Sequence, residues 1–354
     1  MTKTVSFSNT SGQAQYVTFR PITAEDYRPP APAAFDNDYD DHALLALTDV
    51  MGMIFPGGDV SKKPYLYIRH TDILKSKVRF GNIVELGDTF LEPQKGVLHL
   101  DEVPQADAPF TQYRELGGRS GVFGHETVDG KAAFTFSEEG FTATEGNFFS
   151  LKGEPWPHGI VEHRSLYNNV SSIIQPASVL GRLDGKPFLG LGEHDRSHTP
   201  ASVNGFDGVA GTFGYFYINM MGIRHDGRRE QALISIDNSG KVFARYYIDG
   251  ELPIMSDQVS MTADWVHLPY VDDGTCIFEK AVFEFAGKTL HFQGKWGSKG
   301  FTPQPRVEKH GQSQVFGTWY EGATPYDHKL FMGCVENMEA YDHKLEAMGF
   351  DVVE

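Results

Sequence analysis

A chain of 354 residues can bury a sizeable core in one large β-architecture or in two domains, and its 40% hydrophobic and 22% charged residues exclude a disordered protein. The formal charge of −16 opposes binding to nucleic acid or to anionic lipid, because both require a positive surface. No secretory signal and no apolar run of membrane-spanning length is visible, so we expect a cytoplasmic protein without a membrane span, in which Cys276 and Cys334 are free thiols.

The predicted elements are mostly strands. The first 40 residues indicate an extended N-terminal arm, and a weak helical pattern follows near residues 40–53. Further along, turn sequences separate runs rich in β-branched and aromatic residues, which predicts hairpins. The turn sequences are Asp129-Gly130, Asp184-Gly185, Asp226-Gly227, Asn238-Ser239-Gly240, Asp249-Gly250 and Asp273-Gly274. The segment "CIFEKAVFEFAGKTLHFQGKW" is expected to fold back near Gly287.

Domain organisation follows from a polar stretch at residues 168–178, which contains Pro176 and precedes a new hairpin. We therefore predict an N-terminal domain of residues 1–172, which includes the extended arm, and a C-terminal domain of residues 173–354. Apolar residues at spacings of three and four in "ENMEAYDHKLEAMG" predict a short C-terminal helix. The expected fold class is all-β, with two tandem β-barrel or β-sandwich domains.

The stretch "GLGEHDRSHTP" carries the densest set of chemically active side chains. On a helix, His194 and His198 would share a face and could bind a metal, but the flanking glycines and prolines oppose a helix. On a strand, His194, Arg196 and His198 share one face, and Asp195 lies on the other. The stretch does not complete a dinucleotide-binding fingerprint, because Asp195 replaces the third glycine. We therefore expect no cofactor and no metal.

The next predicted strand, "GTFGYFYINMMG", separates a polar aromatic face from an apolar face. The polar aromatic face consists of Phe213, Tyr215, Tyr217 and Asn219. Such a strand suits a barrel that holds a ligand inside, although tyrosines at the rim of an ordinary sheet would give the same pattern.

The segment "VLGRLDGKPFLGLGEHDRSHTP", the aromatic strand and "ALISIDNSGKVFARYYIDG" together resemble the lipocalin-type hydratase family, which includes carotenoid 1,2-hydratases and AttH-like proteins. The similarity covers residues 178–250 and extends more loosely to about residue 300. It implies two consecutive lipocalin-like β-domains with an apolar cavity. Gly190, Gly192, Asp195, Ser197 and Pro200 coincide with the family pattern.

Two positions depart from that pattern. The family histidine falls on Arg196 and the family tryptophan on His198. The resemblance implies that the histidine, with a tyrosine and an aspartate on the following strand, protonates an alkene and guides water. Arg196 cannot act as that acid, because a guanidinium does not release its proton near neutral pH.

The cluster offers substitutes for this acid. We expect His194 or His198 to titrate near neutrality and transfer a proton, Tyr215 or Tyr217 to donate to a carbonyl oxygen, and Arg196 to stabilise an oxyanion. The residues expected to contact substrate are Asp195, Phe213, Asn219, Trp265 and Trp296.

These residues predict a cofactor-independent hydro-lyase, isomerase or cyclase for a mostly apolar small molecule, such as a terpenoid, a polyketide or an aromatic metabolite. The alternatives are a non-catalytic carrier of a hydrophobic ligand and a metal-dependent lyase that uses His194 and His198. The sequence leaves a homodimer open.

Overall fold

The computed structural model describes most of the chain, with gaps. The described residues are 3–9, 17–28, 44–72, 77–78, 82–98, 113–117, 121–162, 171–200, 216–236, 242–298, 313–337 and 340–353. They form 25 strands in two curled sheets and one short helix. The all-β fold class with a short C-terminal helix is thereby confirmed. No helix in this part of the chain has the length and apolarity needed to cross a bilayer.

The strands in chain order are β1 Thr4–Ser8, β2 Val17–Arg20, β3 Leu44–Pro56, β4 Tyr65–Asp72, β5 Lys77–Val78, β6 Asn82–Glu85, β7 Gly96–Leu98, β8 Tyr113–Gly117, β9 Phe123–Thr127, β10 Ala132–Ser137, β11 Gly140–Glu145, β12 Phe149–Pro155, β13 Gly159–Glu162, β14 Ser171–Leu183, β15 Lys186–Pro200, β16 Phe216–Ile223, β17 Arg229–Ile236, β18 Val242–Ile248, β19 Ile254–Ser256, β20 Gln258–His267, β21 Cys276–Phe285, β22 Lys288–Ser298, β23 Ser313–Glu321, β24 Leu330–Asn337 and β25 Val352–Val353. The helix, α1, spans Asp342–Met348.

The chain divides into two compact units. We call the unit formed by the described residues of 17–84 and 97–200 the N-terminal unit, and the unit formed by those of 3–9, 85–96 and 216–353 the C-terminal unit. The boundary expected between residues 172 and 173 falls inside β14, which pairs along its length with β15. The contacts of the chain place the division after residue 200, because the β14–β15 hairpin belongs to the N-terminal sheet.

Fourteen strands form the sheet of the N-terminal unit, in the order β7-β6-β4-β3-β15-β14-β12-β11-β10-β9-β8, with β5, β13 and β2 attached at its sides. The β14–β15 hairpin stands near the middle, paired with β12 on one side and β3 on the other. Its tight turn uses Asp184 and Gly185 at φ values of 49° and 70°, as the Asp-Gly pair predicts. The register of this hairpin fixes which side chains enter the interior.

Eleven strands form the sheet of the C-terminal unit, in the order β1-β20-β21-β22-β23-β24-β16-β17-β18-β19, with β25 attached to β20. The predicted fold-back near Gly287 is present, and Ala286 shares its positive φ. The turn at Asn238 lies outside the described residues. Part of the N-terminal arm, β1, pairs antiparallel with β20 in this sheet.

Two helix predictions require correction. The pattern near residues 40–53 falls largely on strand β3, because β15 and β4 both hydrogen-bond to its backbone. The C-terminal helix is shorter than the pattern suggested. It begins at Asp342, and Gly349 ends it at a φ of 101°, whereas Glu336 belongs to β24.

Candidate acid–base site in the N-terminal unit

Strand β15 directs three of the predicted residues into the interior of the N-terminal unit. His194, Arg196 and His198 alternate along the strand and are 1%, 6% and 1% exposed. Asp195 lies on the opposite face, where its Oδ1 accepts hydrogen bonds from the Ser172 hydroxyl at 3.0 Å and the Ser197 hydroxyl at 3.2 Å. The strand arrangement derived from alternation is therefore observed.

A strand at this position excludes the helix on which His194 and His198 would share a face and bind a metal. Four strand residues span about 13 Å, so the backbone does not bring His194 and His198 together as it would on one helix face. Within the described part of the chain, no three His, Cys, Asp or Glu side chains gather in a metal-binding group.

His194 is surrounded by aromatic rings. Its ring centroid lies 4.4 Å from that of Phe136, 5.6 Å from Tyr27, 5.8 Å from Phe134 and 6.0 Å from Phe141. In the described part of the protein, its Nε2 atom has no hydrogen-bond partner. A buried nitrogen that makes no hydrogen bond destabilises the fold by about 1–3 kcal/mol.

The same state is found at His198, whose Nε2 is buried and has no partner among the residues described. Two imidazole nitrogens in one interior are thus available to a ligand or to a reacting proton. Buried polar atoms normally find partners in folded proteins, so such a pair requires an explanation.

Cross-strand register adds a second guanidinium to the interior. Val50 pairs with His194 on one side and with Arg69 on the other, which places Arg69 and His194 on the same face. Arg69 is 1% exposed, and its Cζ lies 3.8 Å from the centroid of the Phe134 ring. The Cζ of Arg196 lies 5.1 Å from the centroid of the Phe136 ring. Desolvated cation–π contacts of this kind contribute about 2 kcal/mol each.

Three further buried polar residues complete the interior. His125 pairs with Phe134 in the register of β9 and β10, Glu145 pairs with Phe149, and Tyr67 stacks on Phe149 at 4.6 Å. None of these three, nor Arg69, was predicted as a site residue. A usable signal was present for Arg69, because period-two alternation in "YLYIRHTD" places it on the same face as the buried Tyr67.

Electrostatics keep the three histidines neutral. The pKa of His194 lies well below its ordinary value, first because of burial and then because of Arg196 and Arg69. Burial also lowers the pKa of His125 to about 3, with further contributions from Arg69 and Arg196. Burial and Arg196 lower the pKa of His198 to about 3. The expectation that His194 or His198 titrates near neutrality is therefore not met, because burial beside guanidinium groups disfavours the imidazolium.

Two tyrosines of this unit remain protonated, because burial disfavours their charged form as well. Burial raises the pKa of Tyr67 well above its ordinary value, and the Glu145 carboxylate adds to the shift. Burial likewise raises the pKa of Tyr27. The interior thus holds neutral imidazoles, which can accept protons, beside cationic guanidinium groups and phenolic hydroxyls, which can donate hydrogen bonds.

The remaining predicted residues belong to the C-terminal unit or lie outside the described residues. Tyr217 and Asn219 share a face of β16, opposite the apolar face, as alternation predicts. Asn219 is buried and accepts a hydrogen bond from Gln231 at 3.1 Å. Trp265 lies in the apolar core, and Trp296 is stacked on Phe331 at 6.3 Å. Phe213 and Tyr215 are not among the described residues. The described residues among those predicted thus belong to two units.

The C-terminal unit contains a second buried polar cluster, which we call the Glu230 network. Glu230 Oε1 accepts hydrogen bonds from Tyr326 at 2.8 Å and from His328, and Oε2 accepts from Arg224 at 2.6 Å and from Tyr246 at 2.9 Å. These donors hold the pKa of Glu230 below its ordinary value despite the opposing effect of burial. Every member of the network has a partner, which is typical of a structural role.

A groove of about 290 Å³ adjoins this network on the C-terminal unit. Its lining includes Lys280, His291, Gln293, Tyr320 and Tyr326. The His291 and Tyr320 rings are stacked at 4.5 Å. The Tyr326 hydroxyl donates to Glu230 and accepts from Arg224 at 2.7 Å, so it is already engaged and is not available as an acid.

Comparisons with known proteins give similarity to solved structures alone. No protein-family profile matches the sequence, and no curated protein matches it. A candidate AttH from Nitrosomonas europaea matches with 11% identity and a TM-score of 0.45, over 88% of this chain and 97% of that one. Kievitone hydratase from Nectria haematococca matches with 8% identity and a TM-score of 0.38, over 84% and 90%.

Proposed function

We propose that the interior of the N-terminal unit is the site of a hydro-lyase that adds water to, or removes it from, an activated double bond of a mostly apolar small molecule. One observation carries this proposal: two buried, neutral imidazoles with unpartnered Nε2 atoms lie on one strand with a buried guanidinium between them. Acid–base catalysis needs both a proton acceptor and a group that stabilises the charge that develops.

The chemistry can be written for an α,β-unsaturated carbonyl compound. A neutral imidazole, from His194 or His198, accepts a proton from water while the water oxygen bonds to the β-carbon. The electron pair of the double bond moves to the carbonyl oxygen, where a guanidinium stabilises the enolate. The imidazolium then returns the proton to the α-carbon, so that one water molecule has been added. The reverse sequence is dehydration.

This assignment gives Arg196 the oxyanion role expected from the sequence and makes the histidines bases in place of acids. Tyr67 offers the hydroxyl for which Tyr215 and Tyr217 were predicted, because it lies on the interior face of the same unit. Isomerisation or ring closure would use the same enolate and the same residues, with a different acceptor for the returning proton.

The proposal is tested by incubating the protein with a panel of aryl enones, chalcone among them, in ¹⁸O-labelled water and following hydration by mass spectrometry. We expect labelled adducts from the native protein and a rate at least about 100-fold lower for both His194→Phe and His198→Gln, which is the contribution typical of a general base. His225→Gln is the control, because His225 is exposed on a turn of the C-terminal unit.

Full hydration by both variants would place the chemistry elsewhere. Tight binding of these enones without turnover by the native protein would favour the carrier alternative and contradict the enzyme.

A further inference from the structure

We propose that the ligand of the N-terminal interior is a planar aromatic anion, a carboxylate or a phenolate, whose charged group lies between Arg69 and Arg196. This inference rests on the proposed site and specifies the substrate class that the site accepts. It does not require that the hydration chemistry be correct, because it concerns binding.

The first support is the placement of the two cations. Arg69 lies over Phe134, and Arg196 faces Phe136, with Cζ-to-centroid distances of 3.8 Å and 5.1 Å. The two rings are neighbours with centroids 5.8 Å apart. The two guanidinium groups therefore lie beside neighbouring aromatic rings, and each arginine is at least nine-tenths buried.

The second support is the sign of the field in this interior. The charged groups that shift the pKa of His194 and His125 are Arg196 and Arg69, and Arg196 acts on His198 as well. All of these effects disfavour positive charge. The two guanidinium groups thus make the field around these three histidines positive, whereas the buried Glu145 carboxylate opposes Arg69 at Tyr67. A positive field in a water-poor interior favours an anion, since the attraction is little screened there.

The third support is the state of the imidazoles. Nε2 of His194 and Nε2 of His198 are buried and lack partners within the described part of the chain. A hydroxyl group on such a ligand would offer one of these nitrogens a hydrogen bond. The surrounding phenylalanines offer the faces and edges against which an aromatic ring packs.

Bound in this way, the anion would also change the base strength of the site. His194 is acted on by Arg69 from β4 and by Arg196 from its own strand, with Tyr27 and three phenylalanines packed around it. A negative charge between the guanidinium groups offsets their effect and moves the pKa of His194 upward. The substrate would then assist in preparing its own base.

Isothermal titration with 2-naphthoate and with methyl 2-naphthoate tests the inference, because the two probes share a ring system and differ in charge. We expect the native protein to bind the anion at least about 100-fold more tightly than the ester. Arg69→Gln and Arg196→Gln should each weaken naphthoate binding by roughly 10- to 100-fold and leave ester binding unchanged, since a lost charged hydrogen bond has an effect of that size.

Arg182→Gln is the matched control, because Arg182 is exposed on the same hairpin. If a glutamine variant does not fold, Arg69→Lys and Arg196→Lys retain the charge and should keep measurable naphthoate binding.

Equal affinity for the two probes, or absence of naphthoate binding, would overturn the inference. A loss of enone hydration in His194→Phe together with equal probe affinities would retain the proposed function and reject the anion. Selective naphthoate binding without any enone hydration would retain the anion site and reject the proposed function.

Discussion

The two buried polar clusters of this protein differ in how completely their atoms are paired. In the Glu230 network of the C-terminal unit, both carboxylate oxygens accept hydrogen bonds from tyrosine, arginine and histidine donors. In the interior of the N-terminal unit, Nε2 of His194 and of His198 have no partner among the described residues. Similar residue types are therefore used in one unit to complete a network and in the other to leave proton acceptors open. The first arrangement stabilises a fold, and the second is suited to a ligand.

The largest expected effect on stability is at Glu230. In Glu230→Gln, the charge that satisfies Arg224, His328 and two tyrosines is removed, and the free energy of unfolding should fall by about 3–5 kcal/mol because the Arg224 cation and the donors around Glu230 lose their buried carboxylate partner. Urea denaturation measures the change. Glu251→Gln makes the same substitution at an exposed ion pair and should cost no more than about 1 kcal/mol. Equal effects would show that the network is not structural.

At His194 we expect a substitution to lower activity strongly without lowering stability. His194→Phe keeps a ring in the aromatic cluster and removes the unpartnered nitrogen. The free energy of unfolding should stay constant or rise by about 1 kcal/mol, whereas enone hydration should fall about 100-fold or more. Thermal unfolding and the ¹⁸O assay measure the two quantities on the same preparation. A strongly destabilised variant would show instead that the imidazole is a structural element.

The pH dependence of stability should distinguish the same two regions. His125 and His198 have a pKa of about 3 in the folded protein, against about 6.5 when unfolded. The contribution of these two neutral histidines to the free energy of unfolding is therefore fully present above pH 6.5 and is lost as the pH falls toward 3. Each should lower the free energy of unfolding by about 1.4 kcal/mol per pH unit below about pH 6.

Urea titrations between pH 7.5 and pH 5 measure this slope in a window where Glu230 remains ionised. His198→Gln should make the slope shallower by about 1.4 kcal/mol per pH unit, and His225→Gln is measured beside it as the exposed-site control. An identical slope in native protein and His198→Gln would mean that His198 is not held neutral by burial.

The smallest expected effect concerns the tyrosines of the two units. Tyr67→Phe should lower the rate of enone hydration by about 10-fold through loss of a hydrogen-bond donor, and Tyr217→Phe should leave it within about twofold. Steady-state rates with one enone substrate measure both. A larger effect of Tyr217→Phe would return the catalytic hydroxyl to the position predicted from the sequence.

Local patterns predicted the parts of this structure that depend on neighbouring residues. Alternation placed His194 and Arg196 on one face of a strand, and Asp-Gly pairs such as Asp184-Gly185 marked a tight turn. Strand β3 was mistaken for a helix, because its central position between two strands is a property of the sheet and not of its own composition.

The rest of the candidate site depends on distant parts of the chain. Arg69 and His125 enter the interior through cross-strand register, which the sequence of a single strand does not specify. The neutral state of His194 results from burial and from Arg69 on another strand, so the residue itself could be chosen from the sequence while its charge could not. The expected domain boundary depends on distant pairing in the same way, since it falls inside β14, which pairs with strands on both sides of it.

The central claim is that the N-terminal interior binds the ligand, and a crystal structure with 6-bromo-2-naphthoate tests it most directly. Anomalous scattering locates the bromine, and refinement places the carboxylate. The account predicts a carboxylate within hydrogen-bond distance of the Arg69 and Arg196 guanidinium groups, with the ring against Phe134 or Phe136. A ligand bound only in the groove lined by His291 and Tyr320, or a fully occupied ligand without contact to either arginine, would contradict it.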